Sequence, residues 1–129
     1  MTDTEELREI YNPDGSELRT LQLKMLDILS IVANICDKHN IPYWISGGTL
    51  LGAIRHGGFI PWDDDIDIEL LFPDYQKLLK ILPNELPDNL YLQTPKEKSY
   101  RLLFSKVRDK HSIVYSEEED MASYKEKGI

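Results

Sequence analysis

Long apolar runs are missing from this chain of 129 residues, and so is any cysteine besides Cys36. A membrane-spanning helix needs about 18 or more consecutive apolar residues, and no segment supplies them. A lone cysteine cannot close an internal disulfide, which excludes a stapled scaffold and fits a reducing compartment. Cationic residues are the minority: 15 Lys and Arg against 23 Asp and Glu give a net charge of −8. Such a balance lacks the basic surface that a phosphodiester backbone demands, so nonspecific nucleic-acid binding is excluded. Met1 to Glu9 carries acids and no apolar core, unlike a signal peptide. No GK[ST] follows a spaced glycine and no GxGxxG occurs, which excludes a P-loop and a dinucleotide-binding turn. No repeat, low-complexity tract or linker divides the chain, and 41% hydrophobic with 29% charged residues suits one globular domain over residues 1–129.

Chemistry concentrates in Ser46 to Asp67, SGGTLLGAIRHGGFIPWDDDID. The apolar run Tyr43, Trp44, Ile45 reads as strand, Gly47 and Gly48 as a turn, and Thr49 to Arg55 as a short helix whose first N–H groups could face an anion. Asp65, Ile66, Asp67, Ile68 alternate as in a strand over Asp65 to Leu70. Residues two apart share a face, so Asp65 and Asp67 would project together, roughly 6 to 7 Å apart, with Asp63 joining if the extended geometry starts early. Bare carboxylates at roughly 6 Å repel by about 3 kcal/mol at an effective dielectric near 20, and a bound cation turns repulsion into ligation. Mg²⁺ prefers such hard oxygen donors. The same residues also read as a solvated acidic turn, and paired glycines as a plain turn.

The rest of the chain supplies a frame. Asp14 with Glu17 reads as a capping box opening a long helix, whose apolar stripe runs Leu18, Leu21, Met25, Leu29, Val32, Cys36 until Asn40 and Pro42 stop it. Cys36 on that stripe reads as packing, and His39 as a cation at the helix end. Trp44 and Trp62 read as packing anchors beside the glycines and aspartates. Pro73 to Leu82 reads as an amphipathic helix, Pro83 to Asn89 as a loop, and Leu90 to Thr94 with Tyr100 to Val107 as a strand pair. Lys106 and Arg108 would share a face, suited either to phosphate oxygens or to a solvated basic edge. Arg55 could reach a phosphate or an aspartate, or complement its helix dipole. His56 is a candidate substrate contact, and His111 a surface residue. Glu117, Glu118, Glu119 and Asp120 form an acidic run that reads as solvated.

GGTLLGAIRHGGFIPWDDDID resembles the signature of the LicD family, which includes bacterial phosphocholine transferases and is related to fukutin-type sugar and polyol phosphate transferases. Phe104 to Lys110, FSKVRDK, resembles a second family stretch. The resemblance implies an α/β (α+β) fold: a nucleotidyltransferase-like mixed sheet of three or four strands with a long N-terminal helix packed on it. It further implies Asp65 and Asp67 as metal ligands for Mg²⁺ or Mn²⁺, Asp63 as an extra acidic position, and Gly47, Gly48, Thr49, Arg55, Lys106 and Arg108 on the substrate side. The implied donor is CDP-choline or a similar CDP-linked compound, and the acceptor a cell-surface glycan such as a teichoic acid or lipopolysaccharide sugar. The expected location is cytoplasmic, including a peripheral place at the inner face of the membrane. Two alternatives stay open: a polyol-phosphate or nucleotidyl transferase of the same fold, and a non-catalytic nucleotide-binding or interaction module. In the family a strand of the form GIxIDIFP carries a third carboxylate, and Lys127, Gly128, Ile129 fall where it would begin. The resemblance therefore reads the chain as an N-terminal part, with weak or absent activity together with self-association through an unpaired sheet edge or marginal stability.

Overall fold

The computed structural model describes residues 3–97, 100, 102–114 and 126–129. The acidic run Glu117 to Asp120 lies outside them. Two compact units divide the chain, residues 1–77 and 78–129.

In the first unit, α1 (Asp3–Tyr11) leads to α2 (Glu17–Lys38), β1 (Trp44–Ile45), α3 (Gly47–His56) and β2 (Ile68–Glu69). No sequence signal had marked α1, which buries none of its residues. The N-cap of α2 is Ser16 rather than Asp14: the Ser16 hydroxyl accepts from the Arg19 N–H at 3.1 Å. Asp14 instead pairs with Arg8 at 2.6 Å, which takes its carboxylate away from the helix. A side-chain cap of this kind contributes about 1 kcal/mol. The buried face of α2 is Gln22, Ile28, Val32, Ile35 and Cys36, so the apolar stripe holds at Val32 and Cys36 but is rotated in the first half. Leu18, Leu21, Met25 and Leu29 are only half-buried because a polar residue, Gln22, occupies the innermost line. Burial of each large aliphatic chain here contributes roughly 1.5 to 3 kcal/mol. The helix ends at His39, whose carbonyl accepts from the Lys77 ammonium, and Asn40 then turns the chain with φ 53°.

β1 and β2 pair antiparallel, Trp44 opposite Glu69 and Ile45 opposite Ile68, and the Trp44 indole N–H donates to the Glu69 carboxylate at 3.0 Å. The strand expected over Asp65 to Leu70 is thus confined to two residues. Its partner runs out: at Ser46 the chain enters α3, and the Asp67 N–H turns to the Thr49 hydroxyl at 3.0 Å. Alternating exposure nevertheless persists, with Asp65, Asp67 and Glu69 exposed and Ile66, Ile68 and Leu70 half-buried.

α4 (Phe72–Glu85) carries the chain into the second unit, where Leu78 and Leu82 are buried. It runs through Pro83, which the sequence reading had placed in a loop. β3 (Leu90–Gln93) and β4 (Lys106–Asp109) form an antiparallel ladder with Leu90 opposite Asp109 and Gln93 opposite Lys106. The second strand starts later than Tyr100, because that residue folds back locally: its N–H donates to the Glu97 carbonyl at 3.1 Å and its hydroxyl to the Phe104 carbonyl at 2.6 Å. Among the described residues the strands therefore form two two-stranded ladders, not one sheet of three or four strands. Helices and antiparallel strands together make a mixed α/β chain.

At the Asp109 end of β4, the outer edge is occupied by the chain's own residues. The Asp109 N–H donates to the Ile129 carbonyl, and the Val114 N–H to the Lys127 carbonyl at 2.8 Å. Gly128 is buried at this seam, where a Cβ would run into the Asp109 carbonyl and come within 2.9 Å of the Ser112 carbonyl oxygen. No helix among the described residues is long and apolar enough to cross a membrane.

Candidate functional site

The glycine turn and the aspartate loop meet within the first unit. Ser46 precedes α3 in an extended conformation without a side-chain cap bond, and Gly47 takes φ 55°, a left-handed angle that side chains other than glycine's resist. Two backbone ties fasten the turn to the loop: the Ser46 N–H donates to the Asp67 carbonyl at 3.1 Å, and the Asp67 N–H to Thr49 Oγ1. The Asp67 carboxylate lies beside Gly47, with Oδ2 3.9 Å from where a Cβ would stand. At Gly48 the approach is closer. A Cβ there would sit 2.8 Å from Asp63 Oδ2, so the missing side chain is what admits that carboxylate.

Asp63, Asp64 and Asp65 each present a carboxylate oxygen within 4.8 Å of the others. Asp63 is the half-buried member, Asp64 and Asp65 are exposed. Asp63 Oδ1 accepts from the Asp64 N–H at 3.2 Å, whereas Oδ2 is buried with no hydrogen-bond partner among the described residues. Burial, and then the neighbouring Asp65 carboxylate, push the Asp63 carboxyl above its ordinary pKa. An orphaned, buried acceptor among hard oxygen donors fits a divalent cation of the Mg²⁺ type. Sequence spacing had paired Asp65 with Asp67; the structure gathers Asp65 with Asp63 and Asp64 and sets Asp67 against the glycine turn.

The loop's shape comes from a residue that sequence reasoning missed. Gln22 of α2 is fully buried, and its side-chain nitrogen faces the carbonyls of Ile60, Pro61 and Asp63 at 3.4, 3.3 and 2.9 Å. No motif marks it, since a polar residue on an apolar helix face reads as noise in a periodicity argument. His56 is half-buried between glycines and aspartates, with Nδ1 2.9 Å from the Thr4 hydroxyl and Nε2 buried without a partner. Arg55 is exposed on the last turn of α3. Trp62, half-exposed, meets the Tyr11 ring edge-on at 5.5 Å.

Lys106 and Arg108 belong to the second unit. Lys106 is half-buried with its ammonium 5.8 Å from the Phe104 ring centroid. Arg108 is only 5% exposed: Nε donates to Gln93 Oε1 at 2.7 Å and Nη1 to the Gly128 carbonyl at 2.9 Å. A solvated basic edge is therefore not what the strand presents at Arg108. Gln93 lies diagonally across the ladder, which is how the two side chains reach each other.

The LicD/FKTN/FKRP nucleotidyltransferase domain family matches residues 40–127, which takes in the glycine turn, the aspartate loop and the β3–β4 ladder. The chain belongs to the LicD family. It is 41% identical over 80 residues to the lipopolysaccharide cholinephosphotransferase LicD of Haemophilus influenzae, covering 62% of this chain and 30% of that protein. An uncharacterized protein of Rickettsia prowazekii is 32% identical over 123 residues, 90% of this chain and 44% of the relative. Human ribitol 5-phosphate transferase FKRP is 44% identical over 43 residues, 33% of this chain and 9% of that protein. The chain thus spans less than half the length of these curated LicD-family relatives. No solved structure matches it.

Proposed function

We propose that this chain forms the donor-binding part of a phosphotransferase that moves phosphocholine, or a similar substituted phosphate, from a CDP-linked donor to a cell-surface glycan. The observation that carries the reading is the orphaned Asp63 Oδ2, packed against Gly48 and grouped with Asp64 and Asp65. Relatives named for transferring choline phosphate and ribitol phosphate support it. In this reading Asp63 and Asp65 hold Mg²⁺ or Mn²⁺, with Asp67 at the glycine turn completing the acidic wall. The cation, when bound, supplies positive charge against the donor's diphosphate. The uncapped first turn of α3 offers backbone N–H groups to a phosphate oxygen, and Gly47 and Gly48 keep that approach open. In the same reading Arg55, exposed on the last turn of α3, is a cation on the substrate side. In the transfer, an acceptor hydroxyl oxygen bonds to the phosphorus that carries choline, the bond from that phosphorus to the CMP oxygen breaks, the hydroxyl proton passes to a base, and CMP departs. A cytoplasmic location is part of the same proposal.

Ribitol phosphate is the second reading, favoured by the FKRP match over 43 residues. Calorimetry of the chain with CDP-choline, CDP-ribitol and CMP, with and without Mg²⁺, tests both. Mg²⁺-dependent uptake of one CDP-linked compound is the expected result, and absence of any uptake overturns the reading. In the full-length protein, Asp65→Asn is expected to abolish Mg²⁺-dependent transfer with thermal stability unchanged or raised; a marked loss of stability would make that aspartate structural.

A further inference from the structure

We propose that Gln22 is a positioning residue for the acidic loop, its side-chain amide holding the Ile60–Asp63 backbone so that the three carboxylates meet a cation in one arrangement. This rests on reading the loop as a metal site. Between Asp63 and Asp67 the chain has no strand pairing, and three carboxylates with oxygens within 4.8 Å would relax apart unless the backbone were held. Gln22 holds it from 38 to 41 residues away.

Its amide can point only one way. The carbonyls of Ile60, Pro61 and Asp63 are acceptors, so the nitrogen must face them; Asn12 Nδ2 at 2.6 Å and Arg19 Nη1 at 3.2 Å are donors, so the oxygen must face those. Asn12, itself fully buried, is oriented in turn by the Ser16 hydroxyl at 3.1 Å. A chain of bonds therefore runs from the N-cap of α2 through Asn12 and Gln22 to the carbonyl of the very residue whose inner carboxylate oxygen, Oδ2, is orphaned. None of Asn12, Ser16 and Gln22 lies within residues 40–127, the part that the family match covers. The segment before the family match thus reaches the backbone of the acidic loop through Gln22.

The test uses the whole chain and two readouts: Mn²⁺ affinity by electron paramagnetic resonance, and amide hydrogen exchange at Asp63 and Asp64 without metal. Gln22→Met keeps the length of the side chain and removes its donor and acceptor. It is expected to weaken Mn²⁺ binding about 10- to 100-fold, the usual cost of losing an outer support of a metal ligand, and to speed exchange at Asp63 by about tenfold or more. Ile28→Val, which trims a buried neighbour on the same helix, is the control: it is expected to lower the melting temperature while leaving both readouts unchanged. Should Gln22→Met fail to fold, Asn12→Ala, which frees the amide from behind, is read in the same two ways and decides the matter. Wild-type affinity and wild-type exchange in a folded variant would overturn the positioning role. If the wild-type chain takes up no Mn²⁺, the metal reading itself falls, while the exchange rates still decide whether Gln22 fixes the loop.

Discussion

In the β3–β4 ladder the Arg108 guanidinium, 5% exposed, donates to Gln93 and to the Gly128 carbonyl; in the aspartate loop the inner oxygen of Asp63 is buried with nothing donating to it. Both are charged groups drawn out of water, which costs several kcal/mol per ion unless something answers the charge. The ladder answers it at Nε and Nη1, with a neutral amide and a backbone carbonyl. At Asp63 Oδ2 the described residues supply no donor, and in the proposed metal site a bound cation would. On the proposed reading the contrast separates charge that builds a fold from charge held ready for a ligand, and it divides residues that the sequence presents alike, as charged side chains two apart in short alternating runs.

The sharpest blow to the ladder is Gly128→Ala. A methyl there collides with the Asp109 carbonyl, a backbone group with no freedom to swing aside, so a loss of about 3 kcal/mol or more in unfolding free energy is expected, read by denaturant melts. Next comes Arg108→Met, which strips donors from Gln93 Oε1 and the Gly128 carbonyl. A loss of about 2 to 3 kcal/mol is expected. Wild-type stability with lost nucleotide binding would instead move Arg108 into the class of Asp63 and break the comparison.

On the loop side the effects on stability are smaller and of different sign. Gly48→Ala puts a methyl against the swinging end of Asp63, so stability should stay within about 1 kcal/mol while Mn²⁺ affinity falls. For Asp63 the folded pKa lies above the unfolded one, so its contribution to stability is present below the unfolded value and lost as pH rises through the folded value. Asp63→Asn is therefore expected to raise the melting temperature at pH 7 in metal-free buffer, with no gain below the carboxylate range. Asp14 runs the other way. The hydrogen bond and charge of Arg8 hold its carboxyl below the ordinary range, giving stability that is present above the unfolded pKa and lost as pH falls through the folded one. Asp14→Asn should lower the melting temperature slightly at pH 7 and not at all in acid.

How much of this could be read beforehand follows from where the information sits. The glycine turn and the aspartates fall within one motif, Ser46 to Asp67, and alternation at Asp65 to Leu70 survives as alternating exposure even where strand pairing does not. Arg108 could not be placed, because no motif ties it to its partners: the ladder register brings Gln93 diagonally across, and Gly128 arrives at the outer edge of β4. The N-cap went to Ser16 over Asp14 because a long-range competitor, Arg8, was available to the carboxylate. α1 escaped notice since it buries nothing, and burial is what writes helical periodicity into a sequence. The rotated face of α2 has the same root: Gln22 occupies the line that a hydrophobic count reserves for leucine.

The choice of an amide at that line has an electrostatic consequence. A lysine could also reach three carbonyls, but its ammonium would place a full positive charge beside Asp63, lower that carboxyl's pKa, and screen the field of its neighbours. Glutamine contributes dipoles and no net charge. The loop carbonyls thereby gain donors without gaining a counter-charge, so in the proposed metal site the negative charge of Asp63, Asp64 and Asp65 would be left for a cation.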